Sequence, residues 1–177
     1  MGIEIDILNW IQTLRTPFGD VIMPSITKLG NAGIIWIVLA VVLLAFKKTR
    51  KNGVVVGLAL CVDFILCNLF LKNLMQRIRP CDVNTAIELL VARPSDFSFP
   101  SGHTATALAA VTALFLTGQK KIGIPALILA VCIAFSRMYL YVHYPTDILG
   151  GIVIGVLSGY VGYMIAYRIA KNRRNAI

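Results

Sequence analysis

Charge is scarce in this chain: Asp, Glu, Lys and Arg make up 14% of its 177 residues, while 58% are apolar. A soluble domain carries about a quarter charged residues and about half apolar ones. The shortage argues against a water-soluble globule, and the apolar surplus is gathered into long runs, so the chain reads as a membrane protein of one domain. Acids are the fewest, eight against seventeen Lys and Arg. The resulting net charge of +9 does not point to a nucleic-acid partner, because most basic residues lie between or beyond the apolar runs, where they flank spans. Of four cysteines, Cys61, Cys67 and Cys132 lie within apolar runs, leaving Cys81 alone in a loop, so no disulfide framework is implied. No cleavable leader is expected either: the first apolar run begins near Ala32, without a short charged leader or a small-residue cleavage site before it.

What remains is an all-α fold, a polytopic bundle of about five transmembrane helices. The expected spans cover about 30–46, 53–71, 102–117, 122–139 and 146–167. Residues 1–28 mix Ile3, Ile5, Leu8, Ile11 and Leu14 with Asp6, Arg15, Pro17, Asp20 and Lys28, too polar to cross hydrocarbon. They suit an interfacial amphipathic segment, with a frayed terminus as the alternative. The transmembrane domain would then cover 29–168 and a basic cytoplasmic tail 169–177. Ten Lys and Arg fall on one side, in 47–51, 119–121 and 168–174, and seven on the other, of which Lys72, Arg79 and Arg137 belong to the site below. Ten against the remaining four makes the first side cytoplasmic and turns the second outward. The outward loop 76–100 holds an apolar stretch, Ala86 to Val91, that either dips into the membrane or folds over the helix ends. Gly151, Gly155 and Gly159 recur every four residues, as do Ala105, Ala109 and Ala113, so two spans can approach closely.

Histidine is nearly as scarce as charge: there are two, and each sits at an outward helix end. His103 follows Pro100-Ser101-Gly102 where the third span begins. A helix N-terminus offers free N–H groups to a phosphate, and Gly102 removes bulk beside it. His143 precedes Pro145 and Asp147, whose carboxylate can fold back from the first helical turn, fix one ring nitrogen and leave the other as a nucleophile. Lys72 and Arg79 end the second span, and Arg137 ends the fourth. Taken singly, these are interfacial histidines, a capping Asp and snorkelling cations. Together on one side of the membrane they form an oxyanion site. Three neighbouring cations oppose a metal between the histidines, so no metal and no cofactor is expected. Asp63, deep in an apolar run, should be neutral or paired, with Asn68 or Lys28 as candidate partners in a structural contact.

Three motifs carry a resemblance. Lys72, six residues, Arg79-Pro80; then Pro100-Ser101-Gly102-His103; then Ser136-Arg137, five residues, His143, three residues, Asp147. This set resembles the tripartite signature of the type 2 phosphatidic acid phosphatase family of membrane lipid phosphatases, without departure in residue type or spacing over 72–147. The resemblance implies a metal-independent lipid phosphatase. His143 would attack phosphorus to form a phosphohistidine, Asp147 would orient its ring, and His103 would protonate the leaving oxygen and later activate water. Lys72, Arg79, Ser101, Gly102 and Arg137 would hold the phosphate. The expected partner is a lipid phosphate in the membrane, with undecaprenyl diphosphate first and phosphatidylglycerophosphate or phosphatidate as alternatives. A lipid-linked phosphotransferase and a non-catalytic anionic-lipid binder or transporter are the other readings.

Overall fold

A computed structural model describes residues 2–175, with side chains to 172. Its first helix, α1 (Gly2–Thr13), is no frayed end: Leu8 and Ile11 are buried beside the loop residues Leu140, Tyr141 and Val142. Helix α2 (Pro17–Leu29) starts where Thr16 Oγ1 accepts the Gly19 N–H at 3.0 Å and Pro17 supplies the first helical position. It is bent by 43° from the segment that continues it. The break lies at Asn31–Gly33, where Ala32 (φ 49°) and Gly33 (φ 67°) turn left-handed, so α3 runs only over Ile34–Ala45. The expected span 30–46 is therefore the second half of a broken one, because a helix cannot propagate through two left-handed residues.

Helix α4 (Arg50–Asp63) passes without a break into a π-helical stretch, Phe64–Leu71, and then α5 (Lys72–Met75). Gln76, at φ 44°, ends the run. A short helix, α6 (Pro80–Val83), opens the long loop, whose Ile87, Leu89, Leu90 and Val91 pack on the α1 cluster. The loop thus folds over the helix ends. Helices α7 (Gly102–Leu116), α8 (Lys120–Tyr139) and α9 (Pro145–Asn175) follow, close to their expected bounds. The expected basic tail continues α9; residues 176–177 and the side chains of Arg173 and Arg174 lie outside the described part.

Among the described residues, the segment Arg50–Val83, α8 and α9 are each long and apolar enough to cross a membrane, and α2 with α3 meets the same test only as a bent pair, a broken span or a re-entrant loop. Their outer faces expose Val38, Val41, Phe64, Leu69, Ile128, Val131, Val153 and Val156. Such a belt over polar-lined ends is what a hydrocarbon solvent requires, and the chain is a multi-span membrane protein. Helix α7, shorter at 15 residues, is the central post, with Ala105, Ala109, Ala110, Ala113 and Leu114 fully buried. Against it lies α9. A Cβ on Gly151, Gly155 or Gly159 would come within 2.8, 2.4 and 2.5 Å of α7 atoms, so the two helices meet almost backbone to backbone. Asp63 is fully buried and finds neither expected partner: Thr106 Oγ1 donates to its Oδ2 at 2.7 Å.

Candidate active site

The α8–α9 turn carries His143. Tyr141 adopts φ 59°, a left-handed conformation that is unfavourable for a bulky residue, and its buried ring is held by Asn9 and Asn84. The turn brings His143 over the first turn of α9, where Asp147 Oδ2 accepts the Tyr144 N–H at 2.9 Å and faces His143 Nδ1 at 3.3 Å. Ser98 Oγ donates to the same oxygen, and Arg77 Nη1 to Oδ1 at 2.6 Å. These donors fix the carboxylate in place, with Oδ2 set to accept a proton carried on His143 Nδ1. The other ring nitrogen, Nε2, accepts from Arg79 Nη1 at 3.2 Å. Burial first, then the charges of Arg79, Arg137 and Lys72, hold the His143 pKa well below 6.5. The ring is neutral, with a lone pair at Nε2.

Around that lone pair the cations converge. Arg79, 2% exposed, is pinned through Nε to the Asp96 carbonyl at 2.8 Å, through Nη1 to the Val142 carbonyl at 2.6 Å and through Nη2 to Asp96 Oδ1 at 2.7 Å. Lys72 Nζ pairs with the other Asp96 oxygen. Burial works to raise the Asp96 pKa, but Lys72 and Arg79 hold it down to about 2. Arg137 Nη1 donates to Thr27 Oγ1 at 2.7 Å, while its buried Nε has no partner. His103 Nε2 lies 3.0 Å from Asn31 Oδ1, and the left-handed break in the α2–α3 span is what delivers that Asn. A Cβ on Gly102 would sit 3.2 Å from Asn68 Oδ1 and 3.6 Å from Lys72 Nζ, so the glycine lets Lys72 approach the α7 N-terminus.

Lys72, Arg79, Asp96, His103, Arg137 and His143 line one cavity of about 550 Å³. A second, of about 790 Å³, shares Lys72, Asp96 and His103 with it and runs between α3 and α4 past Ile37, Val41 and Gly57. Its walls are mostly apolar. Gly102 borders this groove, whereas Ser101 is fully buried, its Oγ accepting from Thr104 and its N–H donating to the Asp147 carbonyl at 3.1 Å. Seven of the eight expected site residues thus reach a cavity or, for Asp147, touch one that does, and Ser101 joins the start of α7 to that of α9. The sequence reading missed Arg77, Asp96, Ser98 and Asn31. Arg77 was grouped with the flanking cations although it repeats the Arg79 spacing by two, and the others lie in segments without a motif. Two imidazoles among three cations form a seat for an anion, and the charge argues against a metal.

The chain is 28% identical to an undecaprenyl-diphosphatase of Sulfolobus acidocaldarius over 93% of its own length and 79% of that protein. Its fold matches the crystal structure of Aquifex aeolicus LpxE with a TM-score of 0.79 and 28% identity, covering 92% of this chain and 95% of that one. It also matches a transmembrane PAP2 type phosphatidylglycerolphosphate phosphatase from Bacillus subtilis, with a TM-score of 0.75 and 31% identity, over 95% and 86% of the two chains. The model of the PAP2 superfamily matches residues 52–171, which include every one of the eight expected site residues. This chain belongs to the PAP2 superfamily.

Proposed function

We propose that the protein is a lipid phosphatase that works through a phosphohistidine on His143, with undecaprenyl diphosphate as its first candidate substrate. The observation that carries the reading is an imidazole whose Nε2 faces a cationic pocket beside an apolar groove, its lone pair held by a 3.2 Å bond from Arg79 that an arriving phosphate can take over. In the first step His143 Nε2 attacks phosphorus and the bond to the leaving oxygen breaks, with His103 supplying that oxygen's proton. For a diphosphate the leaving group is the lipid monophosphate. Asp147 keeps the Nδ1 proton and balances the positive ring. Water then attacks the phosphohistidine, gives a proton to His103 and releases inorganic phosphate. Lys72, Arg79, Arg137 and the N–H groups at Gly102 hold the oxygens throughout, so that positioning and charge do most of the work.

The substrate choice is supported by the relative named for undecaprenyl diphosphate and by the count of ten Lys and Arg against four, which favours a site on the outer face of the cytoplasmic membrane. Phosphatidylglycerophosphate is the second reading, favoured by the 31% identity to the B. subtilis enzyme of that name. Purified protein assayed in EDTA against both lipids and phosphatidate tests the scheme. Activity should survive EDTA, release free phosphate rather than transfer it to an added alcohol, and vanish in His143→Ala. Loss in EDTA restored only by a divalent metal would defeat it. Cys81 is 1% exposed and unsuited to labelling, so sidedness is read from Glu88→Cys, at an exposed loop position, with an impermeant maleimide on intact cells.

A further inference from the structure

Arg77 and Glu4 have no part in the scheme above, yet they stand directly behind the proposed nucleophile. Arg77 Nη1 donates to Asp147 Oδ1 at 2.6 Å and Nη2 to Glu4 Oε2 at 2.6 Å, with the guanidinium 4.0 Å from the Tyr144 ring centre. Glu4 also accepts from the Thr146 hydroxyl and, at 3.3 Å, from the Thr146 N–H, which ties α1 to the first turn of α9. Burial opposes ionisation of Glu4, but Thr146 and Arg77 hold its carboxyl below the ordinary range.

A cation bonded to a carboxylate fixes its orientation and also cancels its charge. Asp147 has to balance an imidazolium that becomes positive as phosphorus bonds to it, so a bare Arg77 would weaken that support. With Glu4 on the far side of Arg77, the three groups sum to one negative charge instead of none. The side chains are 18% (Glu4), 22% (Arg77) and 0% (Asp147) exposed, so water screens the effect only in part. We propose that Glu4, in the N-terminal helix, is a positioning residue: it neutralises Arg77, which can then lock Asp147 in place without depleting the charge offered to His143. This rests on His143 being the nucleophile.

The test uses the purified full chain with Glu4→Gln, Glu4→Asp, Arg77→Gln, the double variant Glu4→Gln/Arg77→Gln, and His143→Ala. Glu4→Gln should lower kcat about 10-fold, because the lost charge matters most when the ring turns positive in the transition state, with KM and inhibition by inorganic phosphate changed less than about twofold. Glu4→Asp should recover most of the loss. The double variant should be no worse than Arg77→Gln alone, because Glu4 acts through Arg77. A wild-type kcat in Glu4→Gln, a loss carried by KM, losses that multiply, or a kcat that only follows the fraction still binding phosphate would each overturn the proposal. Turnover retained by His143→Ala would instead remove the nucleophile on which it rests.

Discussion

Replacing Asp96 by Asn should tighten the binding of phosphate. Its carboxylate bridges Lys72 and Arg79 where both line the pocket, so an arriving phosphate has to compete with a resident anion for the same two cations. Asp96 is 52% exposed, which puts each contact in the range of screened pairs, about 0.5–1 kcal/mol. Two such contacts sum to about 1–2 kcal/mol, and since about 1.4 kcal/mol is tenfold, inhibition by inorganic phosphate or vanadate should strengthen about 5–30-fold. The substitution leaves the backbone carbonyl that receives Arg79 Nε untouched, so the guanidinium stays in place. Competitive inhibition constants for both anions, measured on wild type and Asp96→Asn at one ionic strength, give the comparison. Weaker anion binding in the variant would refute the reasoning and make Asp96 a scaffold for the cations instead of a competitor.

The remaining predictions concern the ring, the helix contact and the groove. Because the His143 pKa is held well below 6.5, its neutral, nucleophilic form persists through mild acid and is lost only as pH falls through that depressed value. The acid limb of kcat/KM should therefore lie clearly below 6.5, and a limb at or above it would contradict the burial argument. Gly155→Ala should cost about 1–3 kcal/mol in detergent unfolding, since its Cβ would sit 2.4 Å from the Ala105 carbonyl oxygen, whereas Gly57→Ala meets nothing within 4 Å and should be neutral or stabilising. Gly57→Phe, which fills the groove between α3 and α4, should raise KM for a long-chain lipid phosphate and leave a short-chain one unchanged. Equal effects on both would detach the groove from the substrate.

Much of this was legible because hydrocarbon permits few solutions. Apolar length located the α4 run, α8 and α9, and the Gly151–Gly155–Gly159 stripe anticipated their contact with α7. Six of the eight motif residues line the two cavities because they lie at helix ends, and ends on one side of a bundle are neighbours. The break at Ala32–Gly33 was not legible, since alanine usually extends a helix and here turns left-handed. Glu4 and Asp96 escaped for another reason. Their meaning lies in partners 73 and 24 residues away, Arg77 and Lys72, and no local periodicity encodes such a pairing. Asp63 was read as neutral or paired, but a hydroxyl on a neighbouring helix leaves no mark at its own position.

The near-contact of α7 and α9 sets a division of labour within the molecule. His103 opens one rod, and Asp147, which faces His143, opens the other; their spacing is gauged by main-chain atoms, which cannot repack as side chains do. Reaction geometry is therefore insulated from whatever changes elsewhere. The groove walls come from α3 and α4, so, if the proposed substrate lies there, substitutions in them retune which tail fits while the chemical block goes on unaltered.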